Sequence, residues 1–289
     1  MIYEQIAGNK RKSYLLFVVI VAFIVFLGYV FGTALYSAPY AGISIAVVIS
    51  ILYILIGYYA GDKMILAISG AVEAKKPENT YLINTVEGLA IAAGVPKPKV
   101  YVQNEEAINA FATGRKPENS AVCVTTGAIK KLNRTELEGV VAHELSHVKN
   151  YDVRFMTLVV ILIGMIALLS NFFLRSLWFG RGNDREGGNA GAIFMLIGIV
   201  LAILAPILAQ LIRLAISRKR EYLADADGAL LTRYPKGLAD ALRKIKKEHL
   251  PVKKATASTS SLYFTNPLKS ELFSTHPDIN KRIAALEEM

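Results

Sequence analysis

The chain has 289 residues, of which 53% are hydrophobic, and its formal net charge is +10. Its mean hydropathy of +0.39 is above that of an ordinary soluble domain. The single cysteine, Cys123, excludes an internal disulfide and fits a buried thiol in a reducing cytoplasmic compartment. The basic residues are not interleaved with aromatic residues in a nucleic-acid-binding motif, so the charge predicts no nucleic-acid partner.

The hydrophobic residues are concentrated in four runs, Tyr14–Tyr36, Ala41–Ala60, Phe155–Leu174 and Ala192–Ile216. At ~1.5 Å per residue, each run is long enough to cross a hydrocarbon core of ~30 Å. The first three contain no charged residue, and the fourth contains only Arg213, near its end. The first run is too long for the ~7–15 apolar residues of a cleaved signal peptide. The sequence therefore predicts a retained anchor and an α-helical membrane protein with four transmembrane helices.

Basic residues flank these runs on one predicted side of the membrane, at positions 10–12, 63, 149 and 218–220. The turn at 37–40 has no charge, whereas the loop at 175–190 is an exception with three arginines that two acidic residues partly offset. The positive-inside rule then places both termini in the cytoplasm, in a multi-pass protein of the cell membrane. The net positive charge also fits attraction to anionic lipids of the bilayer.

The predicted spans divide the chain into four parts. Residues 1–60 form an N-terminal anchor with two transmembrane helices, and residues 155–216 form a transmembrane hairpin. Two polar segments, 61–154 and 217–289, remain. Because an even number of spans separates these two segments, they emerge on the same face of the membrane and can assemble into one cytoplasmic α+β domain.

The first polar segment is predicted to contain an amphipathic helix at 79–95 and three short strands at 99–103, 108–113 and 121–126. A further helix begins after Asn133, which acts as its cap together with Glu136, and runs to about Asp152. The second segment contains helices at 218–231 and 236–250 and a last helix capped by Asp278. Its small polar residues at 253–261 are expected to be mobile.

The sequence "HELSH" at 143–147 is the clearest sign of chemistry in the chain. His143 and His147 lie four residues apart, so one face of a helix can aim both imidazoles at one zinc ion. Glu144 lies beside the first imidazole, where its carboxylate can take a proton from an activated water. The neighbouring Val140, Val141 and Leu145 indicate a buried helix, in which unpaired imidazoles would be costly. The alternative, two surface histidines on an amphipathic helix, is therefore disfavoured.

A catalytic zinc site needs a third protein ligand, and the second polar segment offers two carboxylates. Glu221 and Asp225 are four residues apart on one predicted helix. The longer side chain of Glu221 suits a ligand, while Asp225 suits an acceptor for the remaining N–H of a ligand histidine. Spacing alone leaves an alternative open, in which both carboxylates pair with Arg218 or Arg220 on a solvated helix.

The chain resembles the HtpX-type membrane zinc metalloproteases, which are relatives of the CAAX-prenyl endopeptidases. The resemblance covers nearly the whole chain through an ordered set of motifs: "NAFATG" (109–114), "HELSH" (143–147), "EYLAD" (221–225) and "STHPDINKRI" (274–283). It implies a zincin-like fold with one Zn²⁺ per subunit, bound by His143, His147 and Glu221, with Asp225 supporting a ligand. It also implies an endopeptidase that cleaves membrane or misfolded proteins on the cytoplasmic side, in quality control and stress response.

The resemblance suggests further site residues. Asn109, Ala110, Phe111 and Ala112 are expected to form an edge strand that holds an extended substrate by main-chain hydrogen bonds, unless they form an ordinary buried strand. His276 or Arg282 is a candidate donor to the oxyanion of the reaction, and a structural role for either is an equal alternative. The family commonly has a second proline after "THP", and Asp278 stands in that place.

Two other functions remain open from the sequence. A prenyl-protein endopeptidase would cut a lipidated peptide, although four spans are few for enclosing a large chamber. A non-enzymatic zinc-binding scaffold or a transporter is disfavoured, because the spans contain almost no ionisable residues and a scaffold has no need of Glu144.

Overall fold

The structure, a computed structural model, describes residues 2–36, 38–179, 199–200, 218–248, 250–256, 258–268 and 276–289. Its contacts divide the chain into two compact units. One unit comprises Met1–Arg11, Gly61–Thr157 and Arg213–Met289, and the other comprises Lys12–Ala60 and Leu158–Ile212. The first unit thus combines segments that lie far apart in the sequence.

Two helices of the described residues are long and apolar enough to cross a membrane, with candidate spans Ile6–Val30 and Pro39–Ile68. They belong to helices α1 (Ile2–Tyr36) and α2 (Pro39–Ile68). Many large apolar side chains of both helices are exposed, which fits contact with lipid. The third predicted run lies on another long helix, α6 (Asp152–Phe179). The fourth lies outside the described residues except for 199–200.

Glycines allow α1 and α2 to approach each other closely. A Cβ atom at Gly28 would lie 2.6 Å from the carbonyl oxygen of Gly42, and one at Gly32 would lie 3.0 Å from the Cα of Gly42. Two glycines four residues apart on α1 therefore remove the side chains that would separate the two backbones. This small-residue packing is typical of helices that associate within a bilayer.

A four-stranded sheet forms one layer of the first unit. Its strands are β1 (Ala71–Glu73), β2 (Lys99–Gln103), β3 (Ala110–Lys116) and β4 (Asn119–Thr125), in the order β1-β2-β4-β3. β2 and β4 are parallel, and the other two pairs are antiparallel. β3 therefore lies at one edge of the sheet, as the sequence predicted for the "NAFATG" segment.

Helices cover the sheet and complete the core. They are α3 (Thr80–Ala93), α4 (Thr126–Lys131), α5 (Arg134–Lys149), α7 (Arg218–Thr232), α8 (Pro235–Glu248) and α9 (Ile279–Glu287). The predicted capping box of α5 is confirmed, because Asn133 accepts the amide N–H of Glu136 and the Glu136 side chain accepts that of Asn133. The Asp278 cap of α9 is also confirmed.

Helix α5 ends earlier than the sequence predicted. Its last residue is Lys149, and Tyr151 has a left-handed backbone with φ of 60°. Helix α6 then begins at Asp152. Asp152 therefore belongs to the first turn of α6 and not to α5, and its contact with His147 is described below.

The polar stretch at 253–261 was expected to be mobile, and this prediction is wrong for its last residues. Thr259 and Ser260 are buried. The chain that follows pairs with the sheet edge, where the amide of Phe264 donates to the carbonyl oxygen of Ala110 at 2.8 Å. Several hydroxyl groups of this stretch form local hydrogen bonds, such as that between Thr256 and Thr259, although Oγ of Ser261 is buried without a partner among the described residues. Polar composition therefore does not prevent its burial.

Candidate metal centre

Three side chains from two helices meet at one point of the first unit. The Nε2 atoms of His143 and His147 lie 3.1 Å apart. Oε2 of Glu221 lies 3.7 Å from Nε2 of His143, and Oε1 of Glu221 lies 3.7 Å from Nε2 of His147. The three potential ligand atoms all lie within 4.8 Å of one another. The two polar segments of the sequence therefore do supply one common cluster.

Close packing of α5 against α7 brings these side chains together. His143 and His147 are one turn apart on α5, and Glu221 lies in the first turn of α7. Gly228 of α7 faces the backbone of α5, and a Cβ atom there would lie 3.0 Å from the amide nitrogen of His143. The missing side chain lets the helices come close enough for a glutamate to reach the histidines.

A carboxylate contacts the Nδ1 atom of each histidine, on the side of the ring opposite the cluster. The Nδ1 atom of His143 lies 2.9 Å from Asp225, and the Nδ1 atom of His147 lies 3.0 Å from Asp152. These contacts favour the tautomer with the proton on Nδ1, which leaves the lone pair of each Nε2 facing the cluster. Sequence reasoning identified Asp225 but missed Asp152. The only signal for Asp152 was an acidic residue shortly after the motif, at the start of an apolar helix.

The cluster fits a metal cation. Two lone pairs directed at each other across 3.1 Å cannot form a hydrogen bond without a shared proton or cation. Zinc bonds of ~2.0–2.1 Å in tetrahedral geometry place two nitrogens roughly 3.4 Å apart, close to the separation here. Oε2 of Glu221 is also buried and has no hydrogen-bond partner among the described residues. Two imidazoles and a carboxylate are the donor set that zinc commonly binds.

The charges around the cluster support the same conclusion. Burial lowers the pKa of His143 to about 4. Burial also opposes the charge of His147, but Asp152 and Glu221 outweigh it and raise the pKa to about 9. For Glu221, burial is outweighed by the favourable electrostatic effect of the nearby His276, His147, His143 and Arg282, which lowers the pKa to about 2. The site thus favours an ionised Glu221 with a positive charge between the imidazoles, where a metal can replace the proton.

Glu144 lies beside the cluster in a small cavity. Both of its carboxylate oxygens are buried, and the backbone of Ala112 is the one hydrogen-bonding group of the described residues that acts on them. Burial raises its pKa to about 8. The cavity has a volume of about 20 Å³ and is also lined by Ala112, His147, Glu221 and His276. This volume is enough for about one water molecule.

The two candidate oxyanion donors occupy different positions. His276 lines the cavity and lies 3.8 Å from Glu221. Arg282 is 1% exposed and donates to both carboxylate oxygens of Asp225 and to the carbonyl oxygen of Phe264. Its guanidinium also borders the metal cluster, with Nη2 3.5 Å from Nδ1 of His143 and Nη1 3.9 Å from Oε2 of Glu221. Arg282 is thus already engaged by Asp225 and Phe264, whereas His276 lines the cavity beside Glu144.

The predicted substrate strand is only partly open. Ala110 already accepts the amide of Phe264, and Phe111 forms a β-bridge with Tyr263. The Asn109 side chain donates to the carbonyl oxygen of Thr265 at 3.1 Å. Ala112 lies further along the strand and lines the cavity with Glu144. Of the four predicted positions, Ala112 is the one next to the candidate reacting groups.

Several known proteins are similar to this chain. Residues 76–289 match the model of Peptidase family M48. The chain is 45% identical over 291 residues to a Protease HtpX homolog of Dictyoglomus turgidum, which covers 99% of this chain and 94% of that protein. It is 48% identical over 294 residues to a Protease HtpX homolog of Caldanaerobacter subterraneus subsp. tengcongensis, with coverage of 100% and 98%. The crystal structure of S. mikatae Ste24p shares its fold with a TM-score of 0.52 at 19% identity, over 99% of this chain and 67% of that one.

Proposed function

We propose that this chain, a membrane metalloprotease that belongs to peptidase family M48, is a zinc-dependent endopeptidase whose metal is held by His143, His147 and Glu221. The observation that carries the proposal is the convergence of these three side chains from α5 and α7, with a carboxylate behind each histidine. A single zinc ion per subunit satisfies the facing lone pairs and the buried carboxylate oxygen together.

Glu144 is the proposed catalytic base. When bound, zinc polarises the scissile carbonyl group and makes a water molecule more acidic. Glu144 takes a proton from the attacking water, whose oxygen forms a bond to the carbonyl carbon. The C–N bond then breaks, and Glu144 returns the proton to the leaving amine. Burial raises the pKa of Glu144, which makes its carboxylate a stronger base, and a cation held by the neighbouring ligands would favour the ionised form that accepts the proton.

His276 is the proposed stabiliser of negative charge on the substrate oxygen. It lines the same cavity as Glu144, and a backbone hydrogen bond with Tyr263 holds it there. Arg282 and Asp225 act on the reaction indirectly, by fixing the ring of His143. Ala112, on the edge strand, offers its main chain to an extended peptide.

We place this site in the cytoplasm, in a zincin-like α+β domain that residues 61–154 and 217–289 form together. We infer this arrangement from the four apolar runs of the sequence, because two spans between the polar segments would return the chain to the same face. The proposed setting is the cell membrane, with both termini cytoplasmic. The proposed substrates are membrane or misfolded polypeptides, in protein quality control and stress response.

The test combines metal analysis with casein digestion on the full-length protein in detergent. We expect wild type to contain about one zinc per chain and to cleave casein. Glu144→Gln should keep the zinc and lose cleavage, because the amide cannot accept the proton. Glu138→Gln, at a partly exposed position of the same helix that pairs with Arg134, is the matched control and should retain both. Cleavage by Glu144→Gln at the wild-type rate would remove Glu144 from the mechanism.

A farnesylated peptide and its unlipidated counterpart form a second arm of this test. Equal cleavage of both peptides supports a general endopeptidase. Cleavage confined to the farnesylated peptide would instead support the prenyl-protein endopeptidase that the sequence left open.

A further inference from the structure

Asn9 lies in the first unit and contacts Asp152, the carboxylate beside His147, although the two residues are 143 positions apart in the sequence. It belongs to α1, just before the basic residues that precede the first apolar run. Its side chain is 6% exposed. A buried carboxamide at the end of a membrane helix requires polar partners, and the partners here lead directly to His147.

Both ends of the Asn9 carboxamide are engaged in hydrogen bonds. Its Nδ2 donates to Oδ1 of Asp152 at 2.7 Å and to the carbonyl oxygen of Asn150 at 2.9 Å. Its Oδ1 accepts a hydrogen bond from Nη2 of Arg220 at 2.9 Å. Arg220 in turn contacts Oδ1 of Asp152 through Nε at 3.0 Å. These bonds require a donor and an acceptor on one short side chain, which asparagine supplies and aspartate or alanine does not.

The arrangement fixes the carboxylate that orients His147. One oxygen of Asp152 accepts from Asn9 and Arg220, and the other faces Nδ1 of His147 at 3.0 Å. Without Asn9, Asp152 would keep Arg220 but lose its shortest hydrogen bond, and the carbonyl of Asn150 would lose the donor from Asn9. Residues that orient a metal ligand in this way typically change metal affinity by about 10–100-fold when they are removed.

We propose that Asn9 is a positioning residue of the metal site, which acts through Asp152 on His147 and makes the N-terminal end of α1 part of the catalytic unit. The inference rests on the proposed zinc function. It means that residues 61–289 supply all three ligands but not every hydrogen bond that orients them, so the N-terminal segment contributes to metal binding as well as to attachment.

The experiment compares wild type, Asn9→Ala, Asp152→Asn and the double variant as full-length proteins. Zinc affinity is measured by competition with a chromophoric chelator, and casein cleavage is measured across zinc concentrations. We expect Asn9→Ala to bind zinc about 10-fold more weakly, to recover its rate at saturating zinc, and to leave KM for casein unchanged. In the Asp152→Asn background the same change should have little further effect, because the residue through which Asn9 acts is already altered.

Gly8→Ala is the control, since it alters the neighbouring position of α1 where a Cβ atom meets nothing within 4 Å. It should bind zinc as wild type does. If Asn9→Ala unfolds easily, the rise in Tm on adding zinc replaces the competition assay, and a smaller rise than in wild type supports the proposal. Wild-type zinc affinity in Asn9→Ala, or full additivity with Asp152→Asn, would overturn it. A wild type that binds no zinc would instead refute the proposed function itself.

Discussion

Arg282 and Asp225 form a two-pronged ion pair in the interior of the first unit. Nε of Arg282 donates to Oδ2 of Asp225 at 2.8 Å, and Nη2 donates to Oδ1 at 2.6 Å. Both side chains are almost completely buried. Burial alone would raise the pKa of Asp225, but Arg282 and His143 hold it well below its usual range. Asp225 therefore remains an ionised acceptor for Nδ1 of His143.

This pair predicts different consequences for two substitutions of Arg282. Arg282→Ala leaves a buried carboxylate without its partner and should destabilise the protein by about 3–5 kcal/mol. Arg282→Lys keeps the positive charge but loses the planar guanidinium that binds both carboxylate oxygens. It should therefore be more stable than Arg282→Ala, while its zinc affinity falls by about 10-fold relative to wild type. Denaturant unfolding and chelator competition measure the two effects.

The surface pair of Arg243 and Glu287 provides the control for that prediction. Arg243→Ala breaks an ion pair that solvent reaches, so the cost should be no more than about 1 kcal/mol. If Arg282→Ala were as mild as Arg243→Ala, Asp225 would not depend on Arg282 for its charge.

Glu221→Gln tests the third ligand with almost no change of shape. The amide removes the negative charge that balances the metal. Zinc affinity should therefore fall by at least about 100-fold, which is the largest loss typical of substituting a residue that only hydrogen-bonds to a ligand. Metal analysis after dialysis measures the loss, and casein cleavage should fall with it. Glu118→Gln, an exposed change in the β3–β4 turn, should alter neither quantity. Full zinc occupancy in Glu221→Gln would move the third-ligand role elsewhere.

Local patterns predicted the parts of this site that depend on neighbouring residues. Helical periodicity predicted that His143 and His147 share a face, and the structure brings their Nε2 atoms together. The same rule paired Glu221 with Asp225. Capping chemistry predicted the start of α5 at Asn133. Each of these inferences needs only residues within one or two helical turns.

Contacts that depend on the path of the chain were not predictable in this way. Asp152 contacts His147 across a helix break at Tyr151, whose φ is positive. Tyrosine rarely adopts a positive φ, so the sequence did not predict the break. Asn9 reaches Asp152 across a long stretch of sequence. The return of Phe264 to the edge of β3 likewise follows from tertiary packing. Polar composition alone suggested mobility for the residues just before it.

Gly228→Ala tests whether the distance between α5 and α7 controls the metal site. The added Cβ atom would lie 3.0 Å from the amide nitrogen and 3.2 Å from the Cα atom of His143, and a backbone cannot yield without moving the helix. We expect a loss of about 1–3 kcal/mol in the free energy of unfolding and weaker zinc binding. Gly88→Ala on α3 is the matched control, because a Cβ atom there meets nothing within 4 Å. It should leave zinc binding unchanged and increase stability by up to about 1 kcal/mol.

Cysteine labelling tests the shared membrane face of the two polar segments. In a Cys123→Ser background, single cysteines replace Glu106, Lys253 or Tyr40, all of which are exposed. We expect an impermeant maleimide to label Tyr40→Cys in intact cells, and to label the other two only after permeabilisation, because positions 106 and 253 are predicted to be cytoplasmic. Labelling of positions 106 and 253 from opposite sides would be incompatible with one ion bound by α5 and α7. It would also contradict the even number of spans between residues 154 and 217.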